Sequence, residues 1–297
     1  MSDQLPASSC AGQSDDCLSA SEGIASHNSE GGCRGSATFL LAYHEIASSA
    51  SRYRYGVNRT QFQEHTEWLA SLAAGQGAGA RATEITFDDG HRSNFEVAMP
   101  LLKRTGLRAI FFVLAGRIGT TDGFMTWDQA RELAAAGHPV QSHGWSHRLL
   151  TQCDARELED ELVRSKRTLE DRLGIAVDSI SAPGGRWNQR VVAACARAGY
   201  TRLFHSNPWA LPCYLQGVRV QGRLMVTGTM TADILRRQAQ ASEIRRKYLL
   251  TKYQAKECVR SLLGERLYHR LWSRLANFDP QDGMEVQVYG RSAEKEI

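Results

Sequence analysis

Two adjacent carboxylates, Asp88 and Asp89, and two histidines four residues apart, His143 and His147, are the ingredients of a hydrolytic metal site. One carboxylate and two imidazoles suit zinc or a similar divalent ion and leave coordination positions open for water and substrate. Neighbouring side chains on an extended strand end point to opposite faces. One aspartate can therefore hold the ion while the other stays free as a base. The four-residue spacing lets both histidines reach one ion from a helical turn or a compact loop. Gly144 stands where the zincin motif requires a glutamate, and Gly144-Trp145 favours a loop. Either histidine alone reads as a surface or hydrogen-bonded residue. Together with the aspartate pair, the metal reading outweighs that one.

These residues follow apolar runs that read as strands. ATFLLAY (37–43) ends at His44, and ATEITF (82–87) ends at Asp88, Asp89, Gly90 and His91. RAIFFVL (108–114) has no reactive group at its end. HPVQS (138–142) leads to His143 and His147, VDSIS (177–181) to Pro183-Gly184-Gly185-Arg186, and TRLF (201–204) to His205. VRV and RLMV (218–226) complete the set. Between them lie helical patterns. Phe62, Trp68, Leu69 and Leu72 recur at helical spacing, and a further helix is expected around 94–105. The next helix opens at the capping pair Thr126–Gln129 and stops at Gly137. A longer one starts at Asp154 with Glu157 three residues on, carries Leu158, Leu162, Leu169 and Leu173, and ends at Gly174. A helix containing VVAACA and a last one from Thr231 follow. Repeated βα units predict a parallel sheet, and about seven of them suggest closure into an α/β barrel, whose reactive groups gather where the strands end.

Composition narrows the class. A chain of 297 residues with 42% hydrophobic residues can bury the core of one large α/β domain, and no run of about 18 apolar residues marks a membrane span. The start, MSDQLPASSCAGQSDDCLSA, has no basic and apolar leader, and the seven cysteines contain no CxxC pair. These features predict a cytoplasmic, reducing setting. A net charge of +4 is too small for a nucleic-acid binder. Residues 1–36, rich in Ser and Gly with five acids against Arg34, read as a disordered tail. Cys10, Cys17, His27 and Cys33 within it match no zinc-finger spacing. Residues 37–240 read as the barrel and 241–297 as a basic amphipathic helical extension. Residues 231–280 hold eleven Lys and Arg against five Asp and Glu. The segment 241–276 reads first as a helix packed on the barrel with a solvated basic face, and second as an interfacial helix meeting anionic lipid, peripheral to a membrane.

Thr86-Phe87-Asp88-Asp89-Gly90 with His143-Gly-Trp-Ser-His147 resembles the NodB-homology polysaccharide deacetylase family, carbohydrate esterase family 4. Tyr43-His44, Phe111-Phe112-Val113, Met125-Thr126-Trp127 and Pro183-Gly184-Gly185 support the likeness, which covers roughly residues 37–210. The resemblance implies a distorted (β/α)7 barrel and metal-dependent removal of an acyl group, usually acetyl, from an amino sugar of an N-acetylated carbohydrate. It implies Asp88 as general base and Asp89, His143 and His147 as ligands of a divalent metal: zinc, or cobalt, nickel or manganese in its place. The Gly184-Gly185 turn would present a backbone N–H to the oxyanion.

The family's late Leu-x-His general acid has no counterpart here. Members resembling a circular permutation place Tyr-His on the first strand in that role, which maps onto His44. Ser181 stands where the third motif usually has an arginine that orients the base, so Arg186 is expected to substitute from across the turn. The fourth motif is altered to His205-Ser-Asn-Pro-Trp209. There Trp209 reads either as an apolar wall for the acyl methyl or as a core residue. Two other readings stand beside deacetylation: an amidohydrolase on a non-sugar acyl amide, and a catalytically weak glycan-binding protein on the same fold.

Overall fold

The apolar runs become a row of parallel strands: β1 Phe39–Tyr43, β4 Thr83–Phe87, β5 Ala109–Val113, β6 Val140–Ser142, β7 Ser179–Ser181, β8 Arg202–His205, β10 Val218–Gly222 and β11 Leu224–Met225. The computed structural model describes residues 38–47, 53–75, 83–256 and 258–259. The segment expected to be a disordered tail, 1–36, lies outside them, as do residues 260–297 of the extension. The strand order is β11-β1-β4-β5-β6-β7-β8-β10-β9. β10 and β11 are separated by Arg223 alone, yet β10 pairs with β8 and β11 with β1. One stretch of chain thus links β11 at one end of the row to β10, one strand short of the other end, within a parallel α/β fold of the distorted (β/α)7 type. Two features were not foreseen. Strand β9, Cys213–Leu215, pairs antiparallel with β10, and a small second sheet pairs β2, Glu45–Ala47, with β3, Gly56–Asn58.

Period-two alternation sorts the buried side chains into two layers. Leu40, Ile110, Phe112 and Phe204 form a separate cluster, the plug of the barrel. Leu41, Tyr43, Ile85, Phe87, Phe111, Val113 and Leu203 belong to the larger core under the helices. Those helices are α1 Arg59–Ala73, α2 Met99–Thr105, α3 Trp127–Ala135, α4 Ala155–Glu159, α5 Ser165–Leu173, α6 Gln189–Arg197 and α7 Ala232–Ala239.

Both expected capping boxes are present, Thr126 with Gln129 and Asp154 with Glu157, and Thr231 caps α7. Gly174 ends α5 in the left-handed conformation, at φ 66°. Two helices are less regular than their apolar spacing predicts. A π turn, Asn94–Ala98, precedes α2, and another, Asp160–Arg164, links α4 to α5. Beyond α7, residues 243–256 are helical. Leu249 and Leu250 pack against the core, and the Tyr253 hydroxyl lies 3.0 Å from Ser206 Oγ. No helix among the described residues is long and apolar enough to cross a membrane.

Candidate active site

Asp88 and Asp89 leave β4 in a sharp turn. The Asp88 amide still donates to Tyr43 O at 2.8 Å, extending the ladder one residue beyond β4, and then Asp89 and Gly90 both turn left-handed, at φ 72° and 81°. A Cβ on residue 90 would stand 3.1 Å from Val113 and Ile118, so glycine is required there by packing as well as by φ. His147 is also left-handed, at φ 71°. Non-glycine residues in this region are uncommon and are held there by their surroundings. Here two of the three candidate ligands are so held.

The turn and the loop after β6 bring three donors together. Asp89 Oδ1 lies 3.3 Å from Nε2 of His143 and 3.3 Å from Nε2 of His147. Asp89, His143 and His147 present one ligand atom each, all within 4.8 Å of one another. Asp89 Oδ1 is sealed from solvent and lacks a hydrogen bond at proper geometry, a state a cation would relieve. His143 Nδ1 donates to Ser181 O at 2.9 Å, which turns Nε2 toward Asp89; burial would lower this histidine, but Asp88 and Asp89 raise it overall. Burial alone would raise the Asp89 carboxyl. Its contact with His143 and the charges of His147, His143 and His44 hold it well below the usual range instead. Burial, with the nearby histidines and Arg117 adding to it, lowers His147 to about 4 against the pull of Asp89, so its imidazole is neutral and able to ligate. The donor set fits a divalent metal.

Asp88 faces a different partner. Arg223 Nη1 donates to Asp88 Oδ1 and Nη2 to Oδ2, each at 2.7 Å, a two-pronged pair with both side chains buried. Arg223 also donates to Thr86 Oγ1 at 2.9 Å and to Ser181 Oγ at 2.6 Å, and Ser181 Oγ donates to Asp88 Oδ2 at 3.1 Å. Its guanidinium rests over the rings of Phe112 and Phe204, at 5.2 and 5.6 Å. Burial would raise the Asp88 carboxyl, but Arg223 above all, then His143 and His44, keep it below its ordinary value. The expectation that Arg186 supplies this guanidinium is therefore corrected. Arg223 fills the place, from the single position between β10 and β11, and the small Ser181 leaves room for it.

The remaining expected site residues divide. His44 follows β1 and sits among the catalytic candidates. The charges of Asp89 and Asp88 act on it against burial, which lowers it overall. Its ring stacks on Tyr55 at 4.9 Å and meets Tyr53 edge-on at 6.4 Å. Asn94 Nδ2 donates to its carbonyl at 2.6 Å, and Nδ1 is buried without a hydrogen-bond partner. His205, at the end of β8, accepts the Asn207 amide on Nδ1 at 3.1 Å and lies 5.7 Å from the ring of Trp187. Burial and Arg223 lower it to about 4.

Gly184 and Gly185 are left-handed, at φ 64° and 66°. A Cβ on Gly185 would lie 2.3 Å from Ser206 Oγ, and one on Gly184 would lie 2.7 Å from Leu149 Cδ2. The Gly185 N–H donates to Ala182 O at 2.8 Å. Packing thus accounts for both glycines, and the Gly185 amide is already engaged, which corrects its reading as an oxyanion donor. Trp209 takes the second of its two readings, as a core residue. It is buried in the core 6.5 Å from the ring of Phe39, the first residue of β1, whereas His44 lies just past the other end, ~16 Å away at strand rise.

Comparison with known proteins agrees with this geometry. The sequence profile of the family described as polysaccharide deacetylase matches residues 75–203. YxkH of Bacillus subtilis is 29% identical over 185 residues, 58% of this chain and 65% of its own length. The chitooligosaccharide deacetylase of a Bradyrhizobium species is 29% identical over 156 residues, 50% of this chain and 69% of that enzyme. A solved structure of the Streptococcus pyogenes deacetylase PplD, in complex with acetate, shares the fold with a TM-score of 0.61 at 21% identity, covering 69% of this chain and 99% of that one. The match spans just under two thirds of YxkH, and the family profile takes in β4 to β7 with Asp89, His143 and His147. On that evidence, residues 75–203 of this chain are similar to polysaccharide deacetylases.

Proposed function

We propose that the protein is a metal-dependent hydrolase that removes an N-acetyl or related acyl group from an amino sugar in a glycan or glycan precursor. The observation that carries this reading is a buried, arginine-held carboxylate, Asp88, beside an Asp–His–His donor set that includes its own neighbour Asp89. Asp89, His143 and His147 would hold the ion, zinc by the mixed oxygen and nitrogen donor set. A divalent ion bound there supplies Lewis acidity toward the acyl oxygen and the attacking water. Asp88, kept ionised by Arg223, accepts the water's proton. His44 delivers a proton to the departing nitrogen, since an amine leaves only when protonated.

The test is release of acetate by the metal-loaded protein from a panel of N-acetylated chito-oligosaccharides, peptidoglycan fragments and non-sugar acetamides. Turnover of the sugars supports the reading. Turnover confined to the acetamides would make the protein a general amidohydrolase, and binding without release would make it a glycan-binding relative. The two aspartates should separate in the same assay. Asp89→Ala is expected to lose stoichiometric metal by elemental analysis. Asp88→Asn is expected to keep the metal and lose ~10²–10⁴-fold in kcat. Equal metal loss in both would refute the division of roles.

The C-terminal helix adds a partner to this reading. Ile244 and Tyr248, one helical turn apart, are 83% and 66% exposed, and Arg245, Lys247, Lys252 and Lys256 flank them on the exposed side. An apolar strip bordered by cations suits an anionic lipid surface. The opposite side reaches Ser206 through Tyr253, next to the rim residue His205. Co-sedimentation with phosphatidylglycerol vesicles is expected and should weaken between 0.05 and about 0.5 M salt, as screening shortens from its ~10 Å at 0.1 M. Binding that ignores salt, or none, would return the helix to a packing role.

A further inference from the structure

We propose that Glu161, in the π turn between α4 and α5, is a positioning residue that sets the His143–His147 loop for metal. The proposal rests on the metal reading of Asp89, His143 and His147. Glu161 is 4% exposed, a carboxylate taken out of water on the apolar side of a helix. Its Oε2 accepts two successive loop amides, from Trp145 at 2.8 Å and Ser146 at 3.0 Å, and its Oε1 accepts the Ser146 hydroxyl. Those are the residues that lead directly into His147, whose left-handed backbone is otherwise unfavourable.

The rest of the loop is gripped in the same way. The Gly144 amide donates to Ser142 Oγ at 3.1 Å, Ser142 Oγ donates to Ser165 Oγ at 3.0 Å, and Ser165 Oγ bonds the Glu161 carbonyl at 2.6 Å. On the other side, the amides of Ala115 and Gly116 donate to the carbonyls of Gly144 and Trp145. Arg164, also in the π turn, lies 3.7 Å above the Trp145 ring.

The helix irregularity has a reason in this light. Along the helix, Leu158, Leu162, Ser165 and Leu169 are buried, and Glu161 is buried beside Leu162. At the end of the turn the Leu162 carbonyl accepts the Ser165 amide and hydroxyl and also the Tyr200 hydroxyl, at 3.0 Å. A π turn adds one residue to the helix and is often found where a side chain must be aimed. Here it aims a carboxylate at the loop without taking Leu162 or Ser165 out of the core. Both oxygens of Glu161 are spent on the loop, so it is no metal ligand. It acts through His147.

The test is metal affinity measured directly, by competition with a chelator, on the full chain. Glu161→Ala should lower zinc affinity ~10–100-fold, the usual effect of removing an outer support. Glu161→Gln, whose amide oxygen still accepts both N–H groups, should stay within about fivefold of wild type on the same scale. Leu162→Ala serves as a control that weakens the same turn without touching the loop, and it should leave affinity unchanged while the protein is folded in chelator. With metal at saturation, Glu161→Ala should lower kcat while KM for the acetylated sugar holds. Wild-type affinity in Glu161→Ala, or an equal loss in Leu162→Ala, overturns the proposal. Asp89→Ala separates the two readings: retained metal in that variant overturns the metal site itself, whereas metal loss there with wild-type affinity in Glu161→Ala overturns only the role of Glu161.

Discussion

Arg223→Met is expected to abolish turnover and to destabilise the protein by about 3–5 kcal/mol, the range for removing one partner of a buried ion pair. The reason is the environment left to Asp88. Both of its oxygens are bonded to the guanidinium, the pair is buried, and the floor beneath is Phe112 and Phe204. Without Arg223, burial is opposed mainly by His143 and His44, and the Asp88 carboxyl rises above its usual range. The sign of the pH dependence then reverses. In the native protein the Asp88 carboxyl is depressed, so it contributes stability above its unfolded value, and that contribution is lost as pH falls through the folded value. In the variant the raised carboxyl opposes folding at neutral pH and is relieved as pH falls and the group is protonated. The gap in Tm between wild type and Arg223→Met, measured in chelator, should therefore narrow as pH falls from 7 toward about 4. The double variant Arg223→Met/Asp88→Asn should recover most of the stability and none of the activity. A loss below about 1 kcal/mol with no pH trend would mean that Asp88 does not depend on this guanidinium.

Arg223 also shows where sequence reasoning stopped. Asp88, Asp89, His143, His147 and His44 are legible because each stands at the end of an apolar run, and a strand end implies a rim. The helix caps are legible because Thr126, Asp154 and Thr231 act on amides three residues away. Arg223 lies 135 residues from Asp88, and the two meet only once the last strand closes the barrel. Its signal was present but unread: of the two cations in 218–226, Arg219 and Arg223, the second splits the two apolar runs, where a buried side chain must find a carboxylate.

Gly185 shows a different limit of sequence reading. A double glycine beside a site suggests close substrate approach, but the atoms it must clear belong to Leu149 and Ser206, which no local pattern reveals. Trp209 likewise goes to the core because the loop after β8 turns back beside the closing strand to reach Phe39. The π turns escape because one extra residue in a helix leaves the three- and four-residue spacing of leucines nearly unchanged. Residues 1–36 remain an expectation, outside the described structure.

His44→Ala is expected to lower kcat for amide hydrolysis by ~10²–10⁴-fold and to leave the metal in place, with His205→Ala losing far less. Both histidines stand at the rim, so position alone does not choose between them. Their neighbours do. A general acid must carry a proton to the departing nitrogen, and a nearby carboxylate favours the protonated imidazole while a nearby cation disfavours it. Burial lowers His44 overall, with His143 and Arg223 adding to it, but Asp89 and Asp88 pull the other way, as no carboxylate does at His205. His205 has burial and Arg223 acting in the same direction, which brings it to about 4, and its Nδ1 is occupied by the Asn207 amide. The discriminating measurement is an activated acetate ester, whose leaving group departs without a proton. His44→Ala should keep measurable esterase activity while amide hydrolysis nearly vanishes. If that selective loss appears in His205→Ala and not in His44→Ala, the general acid lies on β8, and the first-strand Tyr43-His44 pair serves only to pack Tyr43 against His65.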